Sequence, residues 1–390
     1  MGRGTFQLLV GGTVAGSVAL AVVAPVAAAE LGARLLPIFA FVIGMSVVVN
    51  IAAEAGVFDE VTRWVEDRAP AARPARRFTV WAGLIVLAVV VTVFFSLDTT
   101  AILLTPLAVS LARRNGISVV AAAFAVVWIA NIGSLPLPVS NLTNLLAAGG
   151  PAFVTTTEYS RFVFLPGTAA LAVAVSAAWF VHVRATPECG GEGAETRCGR
   201  DPLLPVALGT VGCLLPALVS PIPYWLSSTV AAGLLLVVRW SLRRVAVSGG
   251  LVPWRSLLIA TGFSVLATVI TEAGGQQIVY AALGRSEEST AGLFALAGAG
   301  AVMSNLINNI PAYLVLEPAA ATSAGVTALL IGVNAGPLVT PWASLATLLW
   351  HDQLTRSGVV FPWRRLMVAG ILLVPFAVGV PTAVLTLQVS

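Results

Sequence analysis

Residues 131–146 read NIGSLPLPVSNLTNLL and residues 334–349 read NAGPLVTPWASLATLL, and the two stretches align without a gap. Asn131 meets Asn334, Gly133 meets Gly336 and Pro138 meets Pro341; Leu135, Leu142, Leu145 and Leu146 meet Leu338, Leu345, Leu348 and Leu349. Leucine matches are cheap in apolar sequence, so the Asn, Gly and Pro matches carry the weight. Glycine and proline interrupt a helix, and an interrupted helix leaves backbone N–H and C=O groups without partners. In hydrocarbon such a segment survives only where protein or water covers it. The repeat therefore reads as two broken helices that face a polar interior.

The rest of the chain places those breaks in a membrane. Of 390 residues, 58% are apolar and 10% are charged, with a mean hydropathy of +0.95. An average soluble domain carries about 25% charged residues. Crossing a bilayer takes about 20 helical residues, and apolar spans are expected near 6–29, 35–57, 79–97, 118–131, 162–182, 203–219, 225–239, 256–273, 291–307, 324–335 and 366–387. Four segments between them, 98–112, 132–150, 308–320 and 336–350, are not expected to be plain helices. A transmembrane barrel would instead show short alternating strands. The expected fold is an all-α polytopic membrane protein with two inverted structural repeats. Each repeat contains broken helices or re-entrant hairpins, with about 10–12 membrane-associated elements in all.

Arg3, an apolar run and Val26-Ala27-Ala28-Ala29 imitate a cleavable signal peptide, but the many later spans favour an uncleaved first helix. The expected division is a transmembrane half over 1–183, a flexible cytoplasmic linker over 184–202 and a second transmembrane half over 203–390. The linker holds Glu188, Gly190, Gly191, Glu192, Gly193 and Glu195, a composition with nothing to pack. Arginines cluster in a loop at 62–77 (Arg63, Arg68, Arg73, Arg76, Arg77) and in the linker (Arg184, Arg197, Arg200). Two further groups are Arg239, Arg243, Arg244 and Arg255, and Arg356, Arg364 and Arg365. The positive-inside rule puts all four on the cytoplasmic side.

Several function classes are excluded. The net charge of +4 comes from scattered arginines with no basic strip, so nucleic acid is not a partner. There is no lysine and hence no Walker A loop, and no nucleophile–base set, so the chain is not expected to be an enzyme or the ATP-hydrolysing part of a pump. Cys189, Cys198 and Cys213 form neither a disulfide framework nor a metal motif, and no cofactor is expected. His182, where a span meets a basic loop, is explained by snorkelling, and His351 follows the second repeat in W-H-D.

The candidate site is read from the breaks. Gly133, Pro136 and Pro138 interrupt the first copy, followed by Ser140, Asn141, Thr143 and Asn144. Gly336, Pro337 and Pro341 interrupt the second beside Thr340, where Ser344 and Thr347 occupy the places of Asn141 and Asn144. Asn131 and Asn334 begin the two copies. Amides and hydroxyls both donate and accept, which suits a small polyhydroxylated or oxyanionic solute. A weaker pair precedes each copy: Asp98 in FFSLDTTAILLTP, and Asn308, Asn309 and Pro311 in SNLINNIPA. A carboxylate within a span is costly unless paired, hydrated or protonated, and marks an ion or proton path. Glu54 in A-E-A-G and Glu272 in T-E-A-G each close an apolar run. They read either as proton-coupling groups beside Asp98 or as helix-end residues.

These stretches carry a resemblance. DTTAILLTP (98–106), IANIGSLPLPVSNLTN (129–144), SNLINNIP (304–311) and GVNAGPLVTPWASLATLLW (332–350) are similar to the arsenical pump membrane proteins, arsenite/antimonite efflux permeases of the wider ion transporter superfamily. The likeness extends from about residue 35 to residue 387. It implies export of trivalent metalloid across the bacterial cytoplasmic membrane, driven by the proton gradient. It further implies an optional cytoplasmic ATPase subunit, with a homodimer as a further expectation. Asp98 resembles the acid of the family's Asn-Asp pair, Asn308 and Asn309 its Asn-Asn pair, and the Ser140 and Thr340 groups its two polar clusters. The chain departs from the pattern at Leu97, where the family often has Asn, and at Asn131 and Asn334, where members can carry Asp.

Arsenous acid is uncharged near neutral pH, so amides and hydroxyls suffice to hold it. An anion would need helix N-termini, sodium or arginine, and no arginine lies in the four broken segments before Arg113 and Arg114. The alternatives within the superfamily are a sodium/proton antiporter and a small-anion or dicarboxylate carrier.

Overall fold

The protein is described by a computed structural model covering residues 3–70, 72–148, 152–153, 156–186, 201–219, 222–243, 251–275, 277, 281, 283 and 289–390. Among these residues every regular element is helical. In chain order they are α1 (Arg3–Val23), α2 (Pro25–Ala55), α3 (Val57–Arg68), α4 (Arg73–Phe94) and α5 (Leu97–Thr99). After α5, a π-helical turn (Thr100–Leu104) runs into α6 (Thr105–Asn115), followed by α7 (Val119–Ile132), α8 (Leu142–Ala148) and α9 (Thr156–Arg184). The second part holds α10 (Leu204–Val219), α11 (Tyr224–Arg243), α12 (Trp254–Ile270), α13 (Thr290–Ile307), α14 (Asn309–Leu316), α15 (Ser323–Ala335), α16 (Leu345–Arg356) and α17 (Trp363–Val389).

Seven of these helices are long and apolar enough to cross a membrane, among them α2, α4, α9, α13 and α17. Their outer faces carry exposed Val86, Phe94, Phe164, Phe180 and Leu372. Such a surface is unfavourable in water and suited to lipid. Each expected apolar span is largely helical, although 6–29 crosses the gap at Ala24 and 79–97 runs past the end of α4.

Two helices behave differently. α7 has 14 residues and α15 has 13, and nearly all of each is buried. At 1.5 Å per residue they are about 20 Å long, short of the roughly 30 Å hydrocarbon layer. Each starts at a hydroxyl N-cap, with Ser118 accepting from Ala121 N and Thr322 from Gly325 N. Each ends at a glycine, Gly133 or Gly336. The chain after each glycine is unwound until α8 in one case, apart from a 3-10 turn at Pro138–Ser140, and until α16 in the other. A helix end at this depth is acceptable because protein surrounds it.

The unwound chains lean on glycines of the helices that follow. A Cβ at Gly167 of α9 would sit 3.1 Å from Pro136, and one at Gly370 of α17 would fall on the carbonyl of Leu338. A side chain at either position would push the break away. α13 and α15 also approach closely, since a Cβ at Gly332 would meet the carbonyl of Ala297. Small residues at such crossings are how membrane helices gain contact.

Two expectations are corrected and a third is refined. The first gap, expected at 30–34, falls at Ala24, and α2 runs from Pro25 through Glu30 and Arg34. Proline at the first helical position starts a helix, whereas Glu30 is exposed and costs the helix little. The expected loop 62–77 is largely the amphipathic helix α3 and the first turn of α4. The segment 98–112 is, as expected, not a plain helix, but it departs only by a π turn, and the break in the chain lies before it at Phe95–Ser96. Pro106 cannot donate to Ile102, and the π turn over Thr100–Leu104 absorbs that missing bond. Most of the linker expected over 184–202, with Cys189 and Cys198, lies outside the described residues.

Candidate functional site

Side chains on either side of the two breaks bond across to one another, from the end of each short helix to the chain that follows the opposite break. Asn334, in the last turn of α15, donates from Nδ2 to Asn144 Oδ1 at 2.6 Å. Its Oδ1 accepts from Asn141 Nδ2 and from Thr143 Oγ1, each at 2.7 Å. In the opposite direction, Asn131 of α7 donates from Nδ2 to Thr347 Oγ1 at 3.3 Å and to Val127 O at 2.9 Å. Asn131 is the repeat counterpart of Asn334, and Thr347 is the counterpart of Asn144. Each copy's leading asparagine thus reaches the same position of the other copy.

The first break is held from within. Asn144 Nδ2 donates to the carbonyls of Ser134 at 2.7 Å, Leu137 at 3.1 Å and Leu135 at 3.4 Å. Tyr159 OH adds a bond to Leu135 O at 2.9 Å. Asn141 caps α8 by accepting from Thr143 N, and Ser140 Oγ is taken by Leu137 O. Ser134, which sequence reasoning passed over, donates to Asn131 O and accepts from Asn141 Nδ2. All of these side chains are uncharged.

The second break is stapled by Asn308, whose Nδ2 donates to Trp342 O at 2.8 Å, and by Asn309 N donating to Ala343 O at 2.9 Å. Asn308 has φ 78° and ψ 154° and is the one non-glycine residue with positive φ among those described. Non-glycine residues in such regions cost about 1–3 kcal/mol and persist only where the surroundings hold them. Pro337 and Pro341 lie in the unwound stretch, whereas Pro311 stands inside α14, with the break before it at Asn308. Thr340 Oγ1 is occupied by Asn305 O. Asn305 also escaped the sequence reading, although it lies in the quoted SNLINNIP.

Three buried oxygens in this region have no hydrogen-bond partner: Asn131 Oδ1, Asn309 Oδ1 and Ser344 Oγ. Their residues are 0%, 3% and 0% exposed. Ser344 occupies the N-cap of α16 without capping it, although an N-cap serine ordinarily takes an N–H of the first turn. The three belong to one neighbourhood, because Asn131 bonds Thr347 one turn along α16 and Asn309 bonds the residue before Ser344. Buried polar atoms in folded proteins are ordinarily paired, and each exception calls for an explanation.

Asp98 stands in the first turn after the Ser96 break, where Ser96 Oγ accepts from Thr99 N at 3.0 Å. Its Oδ1 is buried without a partner. Asp98 faces a cavity of about 70 Å³ with Phe95, Ser96, Tyr224 and, from α8, Leu142 and Leu145. It is not hydrogen-bonded into the asparagine cluster, but α8 is common to both. Glu54 pairs with Arg239 at 3.0 Å. Glu272 lies exposed in the π turn Thr271–Gly275. Neither is brought to Asp98.

The citrate transporter family profile matches residues 8–347. The arsenical pump membrane proteins of Escherichia coli strain K12 and Shigella flexneri are each 27% identical over 369 residues, and that of Yersinia enterocolitica is 26% identical over 370. Each alignment covers 86% of this chain and 83% of the relative. The chain belongs to the citrate transporter family, as an arsenical-pump-like, multi-pass transporter of the bacterial cytoplasmic membrane.

Proposed function

We propose that this protein is a secondary transporter that exports trivalent metalloid, arsenite or antimonite, by alternating access coupled to the proton gradient. The observation that carries the reading is the trio of open oxygens at Asn131, Asn309 and Ser344. The two amide oxygens only accept hydrogen bonds, so they favour a solute that brings O–H donors. Arsenous acid brings three hydroxyls and no charge. A carboxylate anion would bring further acceptors to a place where acceptors are already unsatisfied.

In this reading the two breaks belong to inverted repeats, one in 1–183 and one in 203–390, with the solute between them. Asn141, Thr143, Asn144 and Asn334 form the frame, while Asn131, Asn309, Ser344 and Thr347 meet the solute. Asp98 is the proton carrier, deprotonated toward the cytoplasm and protonated from outside. Its Oδ1 is unpaired beside a cavity of about 70 Å³, which has room for the water that an intramembrane carboxyl requires. Of the other two acids, Glu54 is engaged by Arg239 and Glu272 faces outward, so neither shares this role.

The description of the matching family favours one other reading, a citrate or related small-anion carrier. Transport in everted vesicles separates the two. Gradient-dependent uptake of arsenite supports the first, and citrate uptake without arsenite uptake supports the second.

A further inference from the structure

The second break has a holder that is not part of the open-oxygen trio. Asn305 lies in the last turn of α13 and spends its whole amide on its own helix and the unwound chain. Nδ2 donates to Gly336 O at 2.7 Å and to Ala301 O at 2.8 Å. Oδ1 accepts from the N–H groups of Val339 and Thr340, each at 3.0 Å. Its backbone carbonyl accepts from Thr340 Oγ1 at 2.7 Å and from Trp342 Nε1 at 3.1 Å. The Gly336, Val339 and Thr340 groups are the ones that unwinding strips of helical partners. Every such group must be satisfied inside a membrane, and here one side-chain amide takes the place of a peptide group.

The first break is held otherwise. Its holder, Asn144, lies on the helix after the break and is itself tied to Asn334. Asn305 lies on α13, separated from the break in sequence by α14 and α15, and none of its bonds goes to Asn131, Asn309 or Ser344. Further along, Asn308 and Asn309 fasten Trp342 and Ala343. The stretch from Asn305 at the end of α13 to Asn309 at the start of α14 thus grips the unwound chain from Gly336 to Ala343, stopping one residue short of Ser344.

We propose that Asn305 is a positioning residue: it makes the unwound segment 336–342 one body with α13, and so sets where Ser344 and the open N-terminus of α16 stand relative to Asn131 and Asn309. What is positioned rests on the solute reading above, but the positioning can be measured without any solute.

The test uses the full chain in proteoliposomes, with amide hydrogen exchange read on peptides covering 336–344 and, as internal reference, the body of α15. Asn305→Ala should speed exchange at Val339 and Thr340 by about tenfold or more and leave α15 unchanged. Asn305→Asp keeps the acceptor and should restore protection at those two amides. In vesicles with matched protein, Asn305→Ala should raise the KM for arsenite about tenfold while Vmax stays within about threefold, with Asn305→Asp between it and wild type. Unchanged exchange over 336–344, or exchange rising equally through α15, overturns the proposal. So does a fall in Vmax with KM unmoved. Local exchange in Asn305→Ala combined with no arsenite uptake by the wild type would refute the solute reading and leave the positioning role intact.

Discussion

Asn334 Nδ2 lies 2.6 Å from Asn144 Oδ1, and its repeat counterpart Asn131 reaches Thr347 in the same way from the other side. The two short helices α7 and α15 are therefore fastened crosswise through the chain that follows the opposite break. Asn334→Leu strips Asn144, Asn141 and Thr143 of a buried partner at once. Each group so abandoned costs about 1–3 kcal/mol, so the variant should lose transport and unfold at clearly lower temperature in detergent. A transporting Asn334→Leu protein with wild-type thermal stability would contradict this frame.

Thr347→Val keeps the shape and removes only the hydroxyl. Asn131 retains its bond to Val127 O, so the loss should be near one ordinary hydrogen bond, about 1 kcal/mol. The expected result is a several-fold rise in KM with normal protein abundance, measured as initial uptake rates over a range of arsenite concentrations.

The glycines beneath the breaks grade themselves. A methyl at Gly370 falls on a carbonyl of the unwound chain, and one at Gly167 makes contacts of 3.1 Å with Pro136. Overpacking of this kind costs about 1–3 kcal/mol. Gly370→Ala should therefore impair transport more than Gly167→Ala in parallel vesicle assays, and the reverse order would contradict the packing described.

Asn308 stores strain that a glycine would not. Asn308→Ala keeps the unfavourable φ of 78° and loses the bond to Trp342 O, so it should be the less stable variant. Asn308→Gly relieves the strain and loses the same bond, and should lie above it by about 1 kcal/mol. Thermal unfolding of the two purified variants decides this.

Much of this was legible in the sequence, for physical reasons. The breaks announced themselves because Gly133, Pro136, Gly336 and Pro337 cannot continue a helix, and their aligned spacing tied the two together. The span boundary near Pro25 was misread because charge at 30–34 suggested a gap, whereas an exposed Glu30 does not break the helix. Asn305 and Ser134 went unnoticed because their partners are backbone groups, fragments of chain or other site amides brought near only by folding. Asn131, Asn309 and Ser344 could be named as polar residues, but that their buried oxygens lack partners emerges only from the packed structure.

What enters between the two breaks, and what drives it, defines this transporter. The direct measurement is arsenite accumulation in everted membrane vesicles from a metalloid-sensitive host, with and without a proton uncoupler, for the wild type and Asp98→Asn. The prediction is accumulation by the wild type that the uncoupler abolishes, and in Asp98→Asn no gradient-dependent accumulation. Absence of arsenite accumulation with the protein present in the membrane, or an Asp98→Asn variant that still accumulates it at the expense of the gradient, would contradict it.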